Sequence, residues 1–344
     1  MRVGTDTTKY PVFARKGALW TLDRIAELGL DGAFFRSPFD LSPALDPGEL
    51  REVAAHARAL GLYLEVGIAK VNPFATPESP RIRELGGGDY LAGFATLVRA
   101  VTEVGITELW TATANYQFTI RGMYACDRFR TDVDWTEQLA ATATVLDRLA
   151  PVIRDSGAHL NIETHEEISS FEVVRLVEDA GPDAFGITFD VANVVVRGEH
   201  PVEAARRVAP YVRQSHIRDV ALIRTATGIG RFLVPVGRGV VDWDELLTVL
   251  VTECPDATLS IEGDFPHAWR TETEMTLFVN DPVWRAAHPD LTDAELASVV
   301  DLISPSFDEE ALRAPLSEEQ ALDFITTSAA SLRQHLAGLG KTCN

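Results

Sequence analysis

Five times in the first 181 residues a stretch of helical periodicity ends on glycine and gives way to a short apolar run. The steps are Leu28-Gly29, Leu60-Gly61, Val104-Gly105, Ser156-Gly157 and Ala180-Gly181. Glycine at such a point supplies the left-handed turn that stops a helix before the next strand. A unit of strand, helix and glycine turn repeated this often belongs to a parallel sheet whose crossovers are helical. Eight apolar runs fit the strand pattern: 3–5, 32–35, 62–66, 108–113, 159–163, 185–190, 212–216 and 258–262. Eight such strands, each followed by a helix, predict a (β/α)₈ TIM barrel. Helix starts agree, since Asp46-Pro47 places a cap before a proline and Asp134 precedes the run that begins at Trp135.

The barrel so read occupies residues 1–264, and 80 residues follow Asp264 in the 344-residue chain. One closing helix does not need that many. Within 265–344, residues 291–302 and 317–339 have helical periodicity, whereas the aromatic stretch 265–284 reads as an irregular loop over the barrel mouth. The expectation is a C-terminal extension packed on the barrel, not a second domain.

Four strands end on a residue able to bind a metal: Glu163 in LNIE, Asp190 in GITFD, His216 in RQSH and Glu262 in LSIE. In a (β/α)₈ barrel all strand C-termini open on one face, so these four converge although they lie far apart in the chain. Any one acid at a strand end is as readily the cap of the next helix. Three carboxylates side by side are different, because buried charge without a partner is costly and calls for a cation or bound protons. Three carboxylates with one imidazole favour a single divalent ion, Mn²⁺ or Mg²⁺, with zinc left open.

Composition narrows the partners. Acidic residues outnumber basic ones 51 to 31, for a net charge of −20. That charge repels a phosphate backbone, so neither nucleic acid nor an anionic membrane is expected as partner. The three cysteines, Cys126, Cys254 and Cys343, show no paired spacing, and no apolar run approaches the length of a membrane span. With no apolar leader at the N-terminus, a cytoplasmic location is expected.

The order E, D, H, E and the segments FGITFDVANVVVRGEHP, SHIRD and PVGRGVVDW resemble the xylose isomerase-like sugar isomerase and epimerase superfamily over residues 1–264. The resemblance implies that a metal held by Glu163, Asp190, His216 and Glu262 chelates a carbonyl and its neighbouring hydroxyl while a side chain removes the proton from the adjacent carbon. Two departures from the ketose epimerases stand out. The run after the aspartate is Asp190-Val-Ala-Asn193 with no histidine, and a histidine is added in Glu163-Thr-His165-Glu166. Together with the long C-terminal addition, these are more similar to the alpha subunits of bacterial C-glycoside deglycosidases. That similarity implies a carbon–carbon lyase: a 3-oxo-glucosyl C-glycoside loses its C2 proton and then its aglycone by β-elimination. Isomerisation or epimerisation of a free ketose is the alternative.

On this reading the catalytic candidates are His165, Glu163 and Glu262, with the base being either His165 or a ligand glutamate. For His165 the competing role is to orient Glu163 or to bond a loop carbonyl. Substrate-binding candidates are Asn115, Asn193, Arg238 and His267. Arg218 and Asp219 either orient substrate or pair with each other, and Lys70 has no neighbour that argues for a Schiff base. The resemblance also implies a small β-rich second subunit that closes the site. Trp269, Met275, Leu277, Phe278, Val279 and Trp284 form an apolar cluster that either meets such a partner or folds back as a self-contained lid.

Overall fold

The computed structural model describes the chain except for residues 11–12, 76–78, 115–116, 118–119, 121, 265–274 and 343–344. Its strands are β1 (Val3–Asp6), β2 (Gly32–Phe35), β3 (Tyr63–Gly67), β4 (Glu108–Thr111), β5 (His159–Glu163), β6 (Phe185–Asp190), β7 (Val212–Ile217), β8 (Asp219–Arg224), β9 (Ile229–Val234), β10 (Leu259–Ile261) and β11 (Met275–Leu277). Eight of them close in the order β1-β10-β7-β6-β5-β4-β3-β2, and each barrel pairing is parallel. The predicted TIM barrel is therefore the observed one, with every predicted barrel strand in place to within two residues.

The five glycine turns hold. Gly29, Gly61, Gly105, Gly157 and Gly181 all have positive φ, and at Gly157 the angles of 64° and 24° are those of a left-handed helix stop that a side chain with Cβ resists. Asp46 caps its helix through the Gly48 and Glu49 amides, and Asp134 forms a capping box with Glu137.

Inside the barrel the strands alternate with period two. Outward residues such as Leu160, Ile162, Ile187, Phe189, Leu259 and Ile261 are buried in the main apolar cluster, each contributing roughly 1.5–3 kcal/mol by leaving water. The alternate positions are polar and bonded across the barrel. Thr188 donates to Gln214 at 2.9 Å, Asn161 to Glu108 at 2.9 Å, and Ser260 to Glu65 at 2.9 Å. Two glycines make room at the lower end, where a Cβ on Gly32 would stand 2.1 Å from the Tyr63 ring and one on Gly4 2.2 Å from its hydroxyl.

A hairpin absent from the eight-strand reading departs from the barrel. Strands β8 and β9 pair antiparallel and β11 joins them, giving a three-stranded sheet after β7. This corrects the irregular reading of 265–284 at its C-terminal part, where Met275–Leu277 is a strand because β9 offers it a free edge. Leu277 and Trp284 are fully buried and Met275 nearly so, with Phe278 and Val279 packed against the same core. The described part of that apolar cluster is thus covered by the chain itself, while Trp269 lies outside the described residues. The helices expected near 291–302 and 317–339 run over Asp293–Asp301 and Glu318–Thr342. The long C-terminal helix packs on β1, β10 and the helix Trp243–Glu253, so it fills the outer groove that the last helix of a (β/α)₈ ring must close. Among the described residues no helix is long and apolar enough to cross a membrane.

Candidate metal centre and active site

Glu163 and Asp190 are the last residues of β5 and β6, His216 is next to last in β7, and Glu262 follows β10 directly. Register aligns them, with Asp190 opposite His216 and His216 opposite Ser260. Each lies two residues beyond a polar inward position of its strand, Asn161, Thr188, Gln214 and Ser260, so the period of the strand carries all four to the interior. One ligand atom from each of the four lies within 4.8 Å of the others, and all four residues are buried.

Neighbours fix the cage. The Trp110 indole donates to Glu163 Oε2 at 3.0 Å, and His216 Nδ1 lies 2.9 Å from Glu163 Oε1. The edge of Phe34 packs on the His216 ring, centroids 4.8 Å apart. Asp190 accepts from the Ala192 and Asn193 amides at 2.8 and 3.1 Å, capping the helix Val191–Val196. Its other oxygen meets Arg218, whose Nη2 is also 2.8 Å from Glu262 Oε2, and Lys9 donates to Glu262 Oε1 at 2.8 Å.

The electrostatics describe a cage short of positive charge on one side. Burial, with Glu262 and Glu163 adding to it against Arg218, pushes the Asp190 carboxyl up to about 7. Burial also opposes ionisation of Glu262, yet Arg218, Lys9 and His216 outweigh it and hold that group well below the usual carboxylate range. Among the described residues Glu262 Oε2 still has no hydrogen-bond partner, because Arg218 is near it without bonding geometry. A buried carboxylate oxygen without a hydrogen bond, three carboxylates and one imidazole fit a hard divalent cation. Glu163, Asp190, His216 and Glu262 are the residues that could hold it.

His165 stands beside this cage. Its Nδ1 lies 2.5 Å from Glu167 Oε2 and 2.7 Å from Glu166 Oε2, while Nε2 is 4.0 Å from Glu163 Oε2. Burial lowers its pKa, but the two glutamates prevail and push it up to about 10. Glu167 in turn accepts from Thr113 Oγ1 at 2.6 Å and from the Ala114 amide at 2.7 Å. The imidazole is therefore oriented by a carboxylate that is itself anchored. With its pKa so raised it is protonated near neutrality, and it would serve as a base only where the positive charge of a cation in the cage lowers that pKa.

The remaining candidates divide. Asn193 is buried beside the cage, with its Oδ1 3.3 Å from Arg218 Nη2 and its Nδ2 without a hydrogen-bond partner among the described residues. Arg238 is exposed, in a loop whose backbone amides are already engaged. The amides of Gly237, Gly239 and Val241 and the Trp243 indole all turn to the Asp219 carboxylate instead. A Cβ on Gly239 would stand 2.1 Å from Asp219 Oδ1, so PVGRGVVDW is a cradle for a side chain of its own fold. Arg218 and Asp219 do not pair, since one serves the cage and the other this loop. Asn115 and His267 lie outside the described residues.

Asp6, Lys9, Trp110, Glu167 and Arg231 also stand in or beside the site and are not among the residues expected from the sequence. Asp6 carried the same signal as the four ligands, an acid at a strand end, and is fully buried there. Arg231 had none, because only the β8–β9 hairpin brings it inward, where it is buried with Nη2 2.9 Å from Met275 Sδ.

Comparison with known proteins agrees with this architecture. Residues 22–276 match the family model of the xylose isomerase-like TIM barrel. The chain is 26% identical over 262 residues to the 3-oxo-isoapionate decarboxylase of Pectobacterium atrosepticum, covering 76% of this chain and 82% of that one. It is 24% identical over 284 residues to an inosose dehydratase of Bacillus anthracis, covering 75% and 91%. Among solved structures, a xylose isomerase-like TIM barrel protein from Mycobacterium smegmatis in complex with magnesium shares the fold, with a TM-score of 0.57 and 16% identity over 87% of this chain and 97% of that one.

Proposed function

We propose that this chain, which belongs to the xylose isomerase-like TIM barrel family, is a metal-dependent lyase that cleaves 3-oxo-glucosyl C-glycosides by removing the proton beside the ketone and releasing the aglycone. The observation that carries the reading is His165, held by Glu167 on one nitrogen and turned with the other toward Glu163. The names of two relatives agree with it, one a dehydratase of an inosose and the other a decarboxylase of a 3-oxo acid.

A divalent cation, Mn²⁺ or Mg²⁺ by the donor set, would be held by Glu163, Asp190, His216 and Glu262 and would supply Lewis-acid polarisation of the substrate's carbonyl and neighbouring hydroxyl. His165 Nε2 takes the C2 proton. The C2 electron pair becomes the C1–C2 double bond, and the C1–aglycone pair leaves on the aglycone carbon, which is protonated in turn. Arg218 and Lys9 keep Glu262 ionised, and the buried Nδ2 of Asn193 is a donor available to a sugar hydroxyl. A positioned base contributes ~10²–10⁴-fold and charge stabilisation at the oxygen ~3–4 kcal/mol. Neither alone reaches the ~10⁶-fold that enzymes typically attain, so base and cation are needed at one site, as His165 beside the cage provides.

The alternative is isomerisation or epimerisation of a free ketose with Glu163 or Glu262 as the base; the unbonded Glu262 Oε2 favours it. Incubating the Mn²⁺-loaded chain with a 3-oxo-glucosyl flavonoid and, separately, with free ketoses decides between them. Release of free flavonoid is expected. Interconversion of ketoses without aglycone release would overturn the lyase reading. A small β-rich partner closing the mouth belongs to the same proposal.

A further inference from the structure

Beside the cage lies a cavity of about 870 Å³ between the ends of β2 and β3, with Trp110 as a shared wall. Its size is at the upper end for a small-molecule site and exceeds what one sugar ring fills. The indole N–H of Trp110 donates to Glu163, while the ring carries the Arg36 guanidinium 4.2 Å from its centroid and Lys70 Nζ at 5.8 Å. Both cations line the cavity together with Phe39, Ile68, Ile82 and Tyr90. The lining thus joins three aromatic rings and aliphatic side chains to polar ones, Asn72, Asp89, Arg83 and Arg148 among them, and the two cations over Trp110 stand at the end nearest the cage.

Most of the buried and half-buried cations of this acidic chain are bonded to a carboxylate, whereas these two are not. Acids outnumber bases 51 to 31, and Arg128, Arg154, Arg175, Arg206, Arg207 and Arg218 each pair with a carboxylate. Among the described residues Arg36 has no carboxylate within ion-pair distance, and Lys70 donates to the Ala114 carbonyl. Burial lowers the Lys70 pKa to about 8, and Arg36 adds to that fall against the pull of Glu167 and Glu163. The two cations stand over the same indole ring, where Lys70 also feels Glu167, Glu163 and Glu166 and Arg36 feels Asp40 and Asp6, without a carboxylate bonded to either among the described residues. Arg36 presents a planar fork for oxygen anions and Lys70 a point charge, and aromatic rings stack on the same walls.

We infer that this cavity is the subsite for the non-sugar part of the substrate, an aromatic group whose anionic oxygen is bound by Arg36 and Lys70 on the face of Trp110. The inference rests on the lyase reading for its role. The ring carbon gains a proton as the C1–carbon bond breaks; where that carbon is ortho or para to a phenolate, the ring passes through its keto form and the pair of the broken bond restores the negative charge on the phenolate oxygen. Cations at the end of the cavity nearest the cage stabilise that charge as it develops.

The anion can be a phenolate or a carboxylate, and binding distinguishes them without turnover. The full Mn²⁺-loaded chain is titrated with 7-hydroxycoumarin, 7-methoxycoumarin and coumarin-3-carboxylate, and the excitation spectrum of bound 7-hydroxycoumarin reports phenol or phenolate. The expectation is that 7-hydroxycoumarin binds as phenolate and roughly tenfold or more tighter than its methyl ether. The double variant Arg36→Gln, Lys70→Gln should abolish both the preference and the phenolate spectrum, and Arg36→Lys with Lys70→Arg should restore them. Manganese content and melting temperature of each variant report whether the fold and cage persist. Tight binding of the carboxylate with neutral 7-hydroxycoumarin would assign the subsite to a carboxylate source. Equal binding of the hydroxy and methoxy compounds, together with no preference for the carboxylate, would overturn the inference, as would a double variant that binds like the parent. Anion binding without aglycone release would instead overturn the lyase reading and leave the subsite standing.

Discussion

His165 and Glu167 are joined at 2.5 Å through Nδ1 and Oε2, and the far oxygen of Glu167 is anchored by Thr113 and the Ala114 amide. The imidazole cannot rotate without breaking that anchor, so its second nitrogen stays turned to the cage. His165→Ala should therefore lower turnover by ~10² or more, and stop exchange of the substrate C2 proton with solvent, while manganese content stays near that of the parent. Unchanged exchange would make His165 a packing residue.

Metal content should follow the cage. One divalent ion per chain is expected, with ligand distances of ~2.0–2.4 Å, and Glu163→Ala or Asp190→Ala should lose both ion and activity. Chelation should lower the melting temperature and Mn²⁺ or Mg²⁺ restore it, because a ligand that binds only the folded chain stabilises it and removal leaves three buried carboxylates short of a cation. Full metal content in either variant would refute the assignment.

Glu65 offers a pH test away from the cage. It is buried at the lower end of the barrel, bonded by the hydroxyls of Thr258 and Ser260 and by no cation. Burial raises its carboxyl from 4.5 to about 7. A group raised on folding favours the fold in its protonated form, so its contribution is full below about pH 4.5 and is lost as pH rises through about 7. The parent should lose up to about 3 kcal/mol relative to Glu65→Gln across that window. Denaturant titrations at pH 4.5 and 8 read the difference; parallel stabilities would show that Glu65 ionises normally.

Trp284 ties the C-terminal region to the barrel. It is fully buried, its ring centroid 4.0 Å from that of His288, and a Cβ on Gly198 would meet it at 3.0 Å. Trp284→Ala should cost roughly 3–5 kcal/mol and lower the single melting transition of the whole chain. A separate early transition, with the barrel unaffected, would mean the region folds on its own.

Much of the apolar surface assigned to a partner is buried internally, so the second subunit rests on the resemblance. Co-purification with a small β-rich candidate, followed by mass and activity measurement, tests it. A gain in flavonoid release on adding the candidate is expected. Full activity from the isolated monomer would refute it.

What was local in the chain was legible from residues alone. Helix stops at Gly29 through Gly181, the caps at Asp46 and Asp134, and the strand periodicity that set Glu163, Asp190, His216 and Glu262 at four ends depend on neighbours a few positions away. Once eight strands were counted, barrel closure followed, and with it the convergence of those four residues. Contacts between distant segments were not legible. Arg238 sits in a glycine-flanked loop that resembles a ligand cradle, and only Asp219 in the folded chain shows that those amides are already engaged. Arg231 enters the interior because a hairpin carries it there, and Met275–Leu277 is a strand because β9 gives it an edge. Lys9 and Trp110 reach Glu262 and Glu163 only after closure sets β1 beside β10 and β4 beside β5. Periodicity fixes which face of an element a residue takes, whereas the partner that face meets is decided by long-range packing.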